Sequence, residues 1–187
     1  IEVRELSRKF GEFAAVDNIS FQIQKSDGIT ALLGPNGAGK TTTMRMLTGF
    51  LRATGGVIKV NGLDLSDEQN LVRAKASIGY LPESTPLYPE MLVSEYLAFM
   101  GRVRGLDEDT LEKRAREVIA ELELESHLYS PIGILSKGFR QRVGLAATLI
   151  HDPDIIILDE PTSGLDPNQI THIRKLIKNL GQRKTLI

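Results

Sequence analysis

The chain has no cysteine and no tryptophan, and aromatic residues make up only 5% of its 187 positions. Without cysteine it can form no disulfide, no thiolate metal site and no cysteine nucleophile, which fits a reducing compartment such as the cytosol. An excess of charge is also lacking: 23 Lys+Arg stand against 24 Asp+Glu, a formal net charge of −1. There is therefore no global basic field for DNA or RNA and no acidic surplus of the disordered kind, so any anion must be held locally. No apolar run approaches the roughly 18 to 20 residues of a membrane-spanning helix. The purest run is Ile155-Ile156-Ile157-Leu158. Internal repeats and low-complexity stretches are absent as well, which excludes solenoids and arrays. The balance that remains, 41% hydrophobic and 25% charged residues, is that of one globular domain.

The opening Ile1-Glu2-Val3-Arg4-Glu5 has neither an initiator Met nor a basic and apolar leader. The closing Lys184-Thr185-Leu186-Ile187 reads as the start of an apolar strand, so the chain is expected to be cut at both ends. Ile19, Phe21 and Ile23 alternate with polar residues, as do Ile58 and Val60, which predicts half-buried strands in the first third. Ile29 to Leu33 and Ile155 to Leu158 are continuous apolar runs and predict central strands buried on both faces. Between them, 93–103 and 110–124 carry helical spacing. Residues 107–127 hold eight acids and three bases, read as a solvated helix face that would repel nucleic acid.

Gly34-Pro35-Asn36-Gly37-Ala38-Gly39-Lys40-Thr41 matches G-x-x-x-x-G-K-[ST] in full, between an expected strand and an expected helix from Lys40 to about Gly49. Its glycines let successive backbone N–H groups curl around phosphate oxygens, and the helix start adds partial positive charge. Lys40 is placed to reach the β- and γ-phosphates, and Thr41 offers a hydroxyl to Mg²⁺. The Ile155–Leu158 strand delivers Asp159 and Glu160 at its C-terminal end, the edge at which open α/β sheets collect ligands. Asp159 suits the metal and Glu160 suits a general base for the attacking water. A third element, Leu135-Ser136-Lys137-Gly138-Phe139, opens a helix for which Ser136 is the N-cap. Taken alone this reads as no more than a capped helix; Ser136, Gly138 and the positively poled helix end would also make a second anion site, which beside one phosphate loop per chain suggests a site completed by another subunit.

These motifs, in this order, resemble the nucleotide-binding domain of ABC (ATP-binding cassette) ATPases over nearly the whole chain. Phe10 in Arg8-Lys9-Phe10-Gly11 is similar to the aromatic that stacks on adenine. The Ile78-Gly79-Tyr80-Leu81-Pro82-Glu83 segment resembles the family's lid, 135–139 its signature, and Ser163-Gly164-Leu165-Asp166 its D-loop. The resemblance implies an α/β fold: a P-loop NTPase core with an antiparallel β subdomain and an inserted, mainly helical subdomain at 84–140, within one cassette spanning 1–187. It implies ATP and Mg²⁺ as ligands. Phe10, Gly34, Asn36, Gly37, Ala38, Gly39, Lys40, Thr41 and Thr42 would hold the nucleotide, and Thr41, Glu83 and Asp159 the metal. Lys40 and Glu160 would carry catalysis. A second cassette, head to tail, would contribute Ser136 and Gly138 in trans.

The chain departs from the family pattern in three places. Glu83 stands where the lid usually has Gln, and Lys137 and Phe139 alter the usual Leu-Ser-Gly-Gly-Gln signature. The switch His would follow the strand begun at Thr185, beyond Ile187. None of His127, His151 and His172 occupies that place; His151 and His172 are read as surface residues, and weak hydrolysis by these 187 residues alone is expected. The lid and signature are similar to those of bacterial exporter-type subunits serving gliding motility, antibiotic or sodium export. That resemblance implies transmembrane permease partners, no nucleic acid, and a peripheral place on the inner face of the membrane. The alternative is a soluble ABC ATPase acting on ribosomes or nucleic acid, a class that typically carries tandem cassettes, coiled-coil arms or basic extensions. A kinase or GTPase of the phosphate-loop class would leave 135–139 unexplained, and no Asn-Lys-x-Asp guanine reader is present.

Overall fold

A computed structural model describes all 187 residues. The chain opens as a β-hairpin, β1 (Glu2–Phe10) and β2 (Phe13–Gln22), turned at Gly11 and Glu12. The expected alternation holds here: Ile23 is buried, Ile19 and Phe21 are half-buried, and the polar residues between them face solvent. With β3 (Gly55–Val60) and β4 (Leu63–Asp64) the hairpin forms an antiparallel sheet in the order β2-β1-β3-β4. A second, parallel sheet is built from β5 (Ile78–Leu81), β6 (Ile155–Leu158) and β7 (Thr185–Leu186), with β6 in the middle.

Helix α1 (Lys40–Leu47) lies between the two sheets. Its Met44, Met46 and Leu47 pack with Val3, Leu6 and Val60 of the antiparallel sheet and with Ile155 and Ile157 of β6. The opposite face of the parallel sheet is covered by α5 (Lys137–Leu149) and α6 (Pro167–Gly181). Each of these helices starts on a side-chain cap, the satisfier of otherwise unpaired N–H groups. Ser136 accepts from the Phe139 N–H, and Asp166 accepts from those of Asn168 and Gln169 with Pro167 in the first turn. Helix α2 (Glu68–Ala76) begins in the same way on Asp67.

The segment between β5 and α5 holds α3 (Val93–Val103) and α4 (Glu108–Glu121), at the positions the spacing predicts within two or three residues. It has no core of its own. Val93, Leu97, Leu111 and Val118 join one cluster with Ile156 and Leu158 of β6 and with Leu145 and Ile150 at the α5 end. Most of the acidic side chains of α4 are exposed, and two of them pair along the helix, Glu112 with Arg116 and Glu117 with Arg114. No helix is long and apolar enough to cross a membrane.

Three expectations need correction. Residues 29–33 do not form a buried central strand: Ile29 makes a single parallel bridge to Leu186, and Leu33 is 88% exposed. The segment joins the parallel sheet at one rung, through Thr30 N–H to Leu186 O and Leu186 N–H to Gly28 O, and the backbone beyond it leads into the loop at 34–39. His151 is not a surface residue. It is half-buried with Nε2 3.2 Å from Ile78 O, and burial, with Arg104 nearby, pushes its pKa down to about 4. A ring so placed is neutral at pH 7 and serves the turn before β6. His172 is also partly covered, its side chain 27% exposed and its Nε2 3.6 Å from Glu123.

All four side chains of β6 are buried, and Ile156 is fully so. Ile156→Ala leaves a cavity between β6 and the helices above it and should destabilise the fold by about 2–5 kcal/mol, read from denaturant unfolding.

Candidate functional site: a phosphate loop facing two carboxylates

The loop at 34–39 enters α1 with Gly39 at φ 84°, in the left-handed region. A Cβ at Gly39 would lie 2.3 Å from the carbonyl oxygen of Ala15 on β2, so only glycine fits this crossing of loop and sheet. Gly37 also has a positive φ, 82°, which turns the chain without contact to anything nearby. Gly34 lets the loop close, since a Cβ there would come 3.1 Å from the Ala38 methyl. No side chain caps the start of α1, which leaves its first N–H groups open to a ligand. The Lys40 ammonium donates to Gly34 O at 2.9 Å and Pro35 O at 3.0 Å, arching over the loop mouth.

The loop forms one end of a cleft of about 460 Å³. Asn36, Gly37, Gly39, Lys40, Thr41 and Thr42 line that end, Glu83 and Glu160 stand beside it, and Phe10, Phe13 and Ala15 line the other. Residues distant in sequence thus meet as the motifs require. Gly34 and Ala38 shape the loop from outside the cleft wall, and Ser136 and Gly138, at the start of α5, do not line the cleft.

Asp159 is 2% exposed and sits behind the cleft. Its Oδ1 accepts from the Thr41 hydroxyl at 3.2 Å, while Oδ2 is buried with no partner. A buried carboxylate oxygen left open is costly unless a cation or donor completes it, and a hard divalent ion bound through oxygen is the fitting complement. Thr41 and Asp159, with Glu83 facing the same space, therefore suit Mg²⁺ by donor type. Tyr80, on the neighbouring strand, also buries its hydroxyl, with Arg45 nearby. Burial first, and then the negative charge of Asp159, push the phenol's pKa up, so Tyr80 stays protonated as a donor.

Glu160 is exposed to the cleft and adopts φ 49°, a left-handed conformation unusual outside glycine. Strain of this kind costs on the order of 1 kcal/mol and persists only where the surroundings fix the turn. Here the Ser163 N–H closes onto Glu160 O at 3.0 Å.

At the aromatic end Phe10 and Phe13 are cross-strand partners at the hairpin turn. The Arg8 guanidinium lies 4.5 Å from the Phe10 ring centroid and covers one face. Phe10 itself lines the cleft. Phe13 went unnoticed in the sequence, although an aromatic directly across a two-residue turn from Phe10 is a readable signal.

The signature segment has its own surroundings. Lys137 is exposed, and its ammonium rests against Gly164 in the loop before α6, where an added Cβ would sit 2.0 Å from Nζ. Phe139 stacks with His127 at 3.9 Å between centroids and carries the Arg142 guanidinium at 4.8 Å.

Comparison with known proteins bears on the family and the fold. The ABC transporter family matches residues 16–163. The probable multidrug ABC transporter ATP-binding protein YbhF of Escherichia coli is 40% identical over 167 residues, which is 89% of this chain and 28% of that protein. The linearmycin resistance ATP-binding protein LnrL of Bacillus subtilis is 35% identical over 182 residues, 97% of this chain and 58% of that protein. The chain thus spans well under two thirds of the length of either relative. A dimeric ATP-binding cassette solved in a post-hydrolysis state with ADP and Pi superposes with a TM-score of 0.86 at 26% identity, covering 99% of this chain and 85% of that one. With the phosphate loop, the buried Asp159 and the capped signature helix all in place, the chain belongs to the ABC transporter family and has the fold of its ATP-binding cassette.

Proposed function

We propose that this chain binds and hydrolyses ATP to drive a membrane transporter of export type, working as one of two cassettes packed head to tail. The observation that carries the reading is the single cleft in which the phosphate loop faces Glu83 and Glu160, with buried Asp159 hydrogen-bonded to Thr41 behind it. The adenine ring stacks on the free face of Phe10 beside Phe13. The triphosphate runs along the loop to Lys40, whose ammonium leaves the carbonyls of Gly34 and Pro35 for the β- and γ-phosphate oxygens. Thr41 and Asp159, together with Glu83, would hold Mg²⁺, which when bound would supply positive charge to the phosphate oxygens.

Glu160 then orients a water and takes its proton as the water oxygen bonds to the γ-phosphorus. The bond from that phosphorus to the bridging oxygen breaks, giving ADP and phosphate. This chemistry is mostly positioning and charge stabilisation, so Lys40 and the donors around the phosphate supply most of the rate. Ser136 and Gly138 lie outside the cleft of their own chain, which supports their service to the nucleotide of a partner cassette. Closing and opening of that pair would be passed to transmembrane permease subunits, which place the cassette on the inner face of the membrane. The names of the relatives, a probable multidrug ABC transporter protein and a linearmycin resistance protein, support this assignment over a ribosomal or nucleic-acid role.

Three outcomes are expected of the full-length protein. Lys40→Ala should lower ATP hydrolysis by about a hundredfold or more, measured as phosphate release. Glu160→Gln should keep ATP binding yet slow hydrolysis by about a hundredfold or more, and should accumulate as a dimer on size-exclusion chromatography with ATP. Mixing Ser136→Ala subunits with Lys40→Ala subunits should restore one working site per pair; absence of rescue at every ratio would argue against a site shared between chains.

A further inference from the structure

Gln141, one turn into α5, is the polar side chain on which both carboxylate-bearing loops of the site converge. It is 8% exposed. Its Nε2 donates to Pro161 O at 3.0 Å, and its Oε1 accepts from the Thr85 hydroxyl at 3.2 Å. Pro161 follows Glu160 directly, and Thr85 lies two residues after Glu83. One amide therefore ties the two segments that carry the acids facing the phosphate loop, although they are far apart in the chain.

The surrounding contacts make this tie stiff. Gly144, on the next turn of α5, has no side chain because the Thr85 methyl occupies that space; a Cβ there would come 2.3 Å from Thr85 Cγ2. Gly79 on β5 is equally bare under the helix, with Thr148 O 2.6 Å from where its Cβ would be. Helix α5 thus rests on the backbone of the strand that leads to Glu83. The Asp159 N–H donates to Leu81 O at 2.9 Å and joins the ends of β5 and β6. Glu160, in its left-handed conformation, hangs between this joint and the carbonyl that Gln141 holds.

We infer that Gln141 is a positioning residue for hydrolysis: it sets the separation of Glu83 and Glu160 and links that separation to the seat of α5, whose first turn carries Ser136 and Gly138. The inference rests on the ATPase reading above and deepens it. Nucleotide binding depends on the loop at 34–42 and on Phe10, none of which Gln141 touches. Its removal therefore changes turnover without changing affinity. A shift of the helix start, where a second cassette's nucleotide would press, moves the same amide and hence both carboxylates. The signature helix would then report its occupancy to the catalytic acid in its own chain.

The test compares Gln141→Leu, Thr85→Val, the double variant and Thr85→Ser with the full-length parent, alongside Lys40→Ala. ATP turnover gives kcat and KM, a fluorescent ATP analogue gives affinity, and thermal unfolding confirms that each variant is folded. The expected result is that Thr85→Val, which loses one hydrogen bond, lowers kcat by about three- to tenfold, and that Gln141→Leu, which loses two, lowers it by at least as much, with KM and affinity unchanged. The double variant should be no slower than Gln141→Leu, since both changes break one linkage, and Thr85→Ser, which keeps the hydroxyl, should turn over like the parent. Folded Gln141→Leu with parental kcat, a rise in KM at constant kcat, or additive losses in the double variant would overturn the inference while an inactive Lys40→Ala upheld the ATPase reading. Lys40→Ala turning over like the parent would sink the ATPase reading and this inference with it.

Discussion

The rest of the molecule depends on the burial of β6 on both faces. Ile155 and Ile157 point into the cluster around α1 and the antiparallel sheet, while Ile156 and Leu158 point into the cluster shared by α3, α4, α5 and α6. Four consecutive apolar residues remove on the order of 6–12 kcal/mol worth of side chain from water, before the conformational entropy of ordering them is counted. That fixes the strand so firmly that the two residues after it can be polar, strained and chemically useful. Asp159 stays inside with one oxygen unpaired, and Glu160 turns out into the cleft in a left-handed conformation. Neither arrangement is favourable by itself; both are held by the strand behind them.

The same strand explains why α1 and α5, which lie on opposite faces of the parallel sheet, work on one site. Helix α1 brings Thr41 to Asp159, and α5 brings Gln141 to Pro161 and Thr85. The loop at 34–39 and helix α5 therefore meet the segments carrying Glu83, Asp159 and Glu160 from two sides of a rigid layer. Bare backbone at Gly79 and Gly144 lets α5 sit close enough for its amide to reach both loops. Close-packed layers pass small displacements on rather than absorbing them, which is the property a nucleotide-driven machine needs.

Much of the fold was legible because the signals are local. Ser136, Asp166 and the phosphate loop act through hydrogen bonds within a few residues, and α3 and β6 follow from the spacing of their apolar side chains. The apolar run at Ile29 to Leu33 was misleading for the opposite reason. A strand is defined by its neighbour, and Ile29 meets its neighbour in one bridge, to Leu186. His151 shows the same limit, since nothing in His-Asp-Pro signals that the ring will lie against Ile78 O with its pKa pushed down to about 4.

By itself, then, the sequence determined the local parts: which glycine-rich loop leads into α1, which acids end the buried strand, and which serine caps α5. These follow from short-range geometry of the backbone and from residue type. Only the tertiary structure decided how those parts face one another. The unpartnered oxygen of Asp159, Phe13 beside Phe10, the ammonium of Lys137 against Gly164, and Gln141 between Thr85 and Pro161 all involve residues brought together by packing. Such contacts depend on how layers of helix and sheet settle together, and no pattern within a few neighbouring residues encodes them.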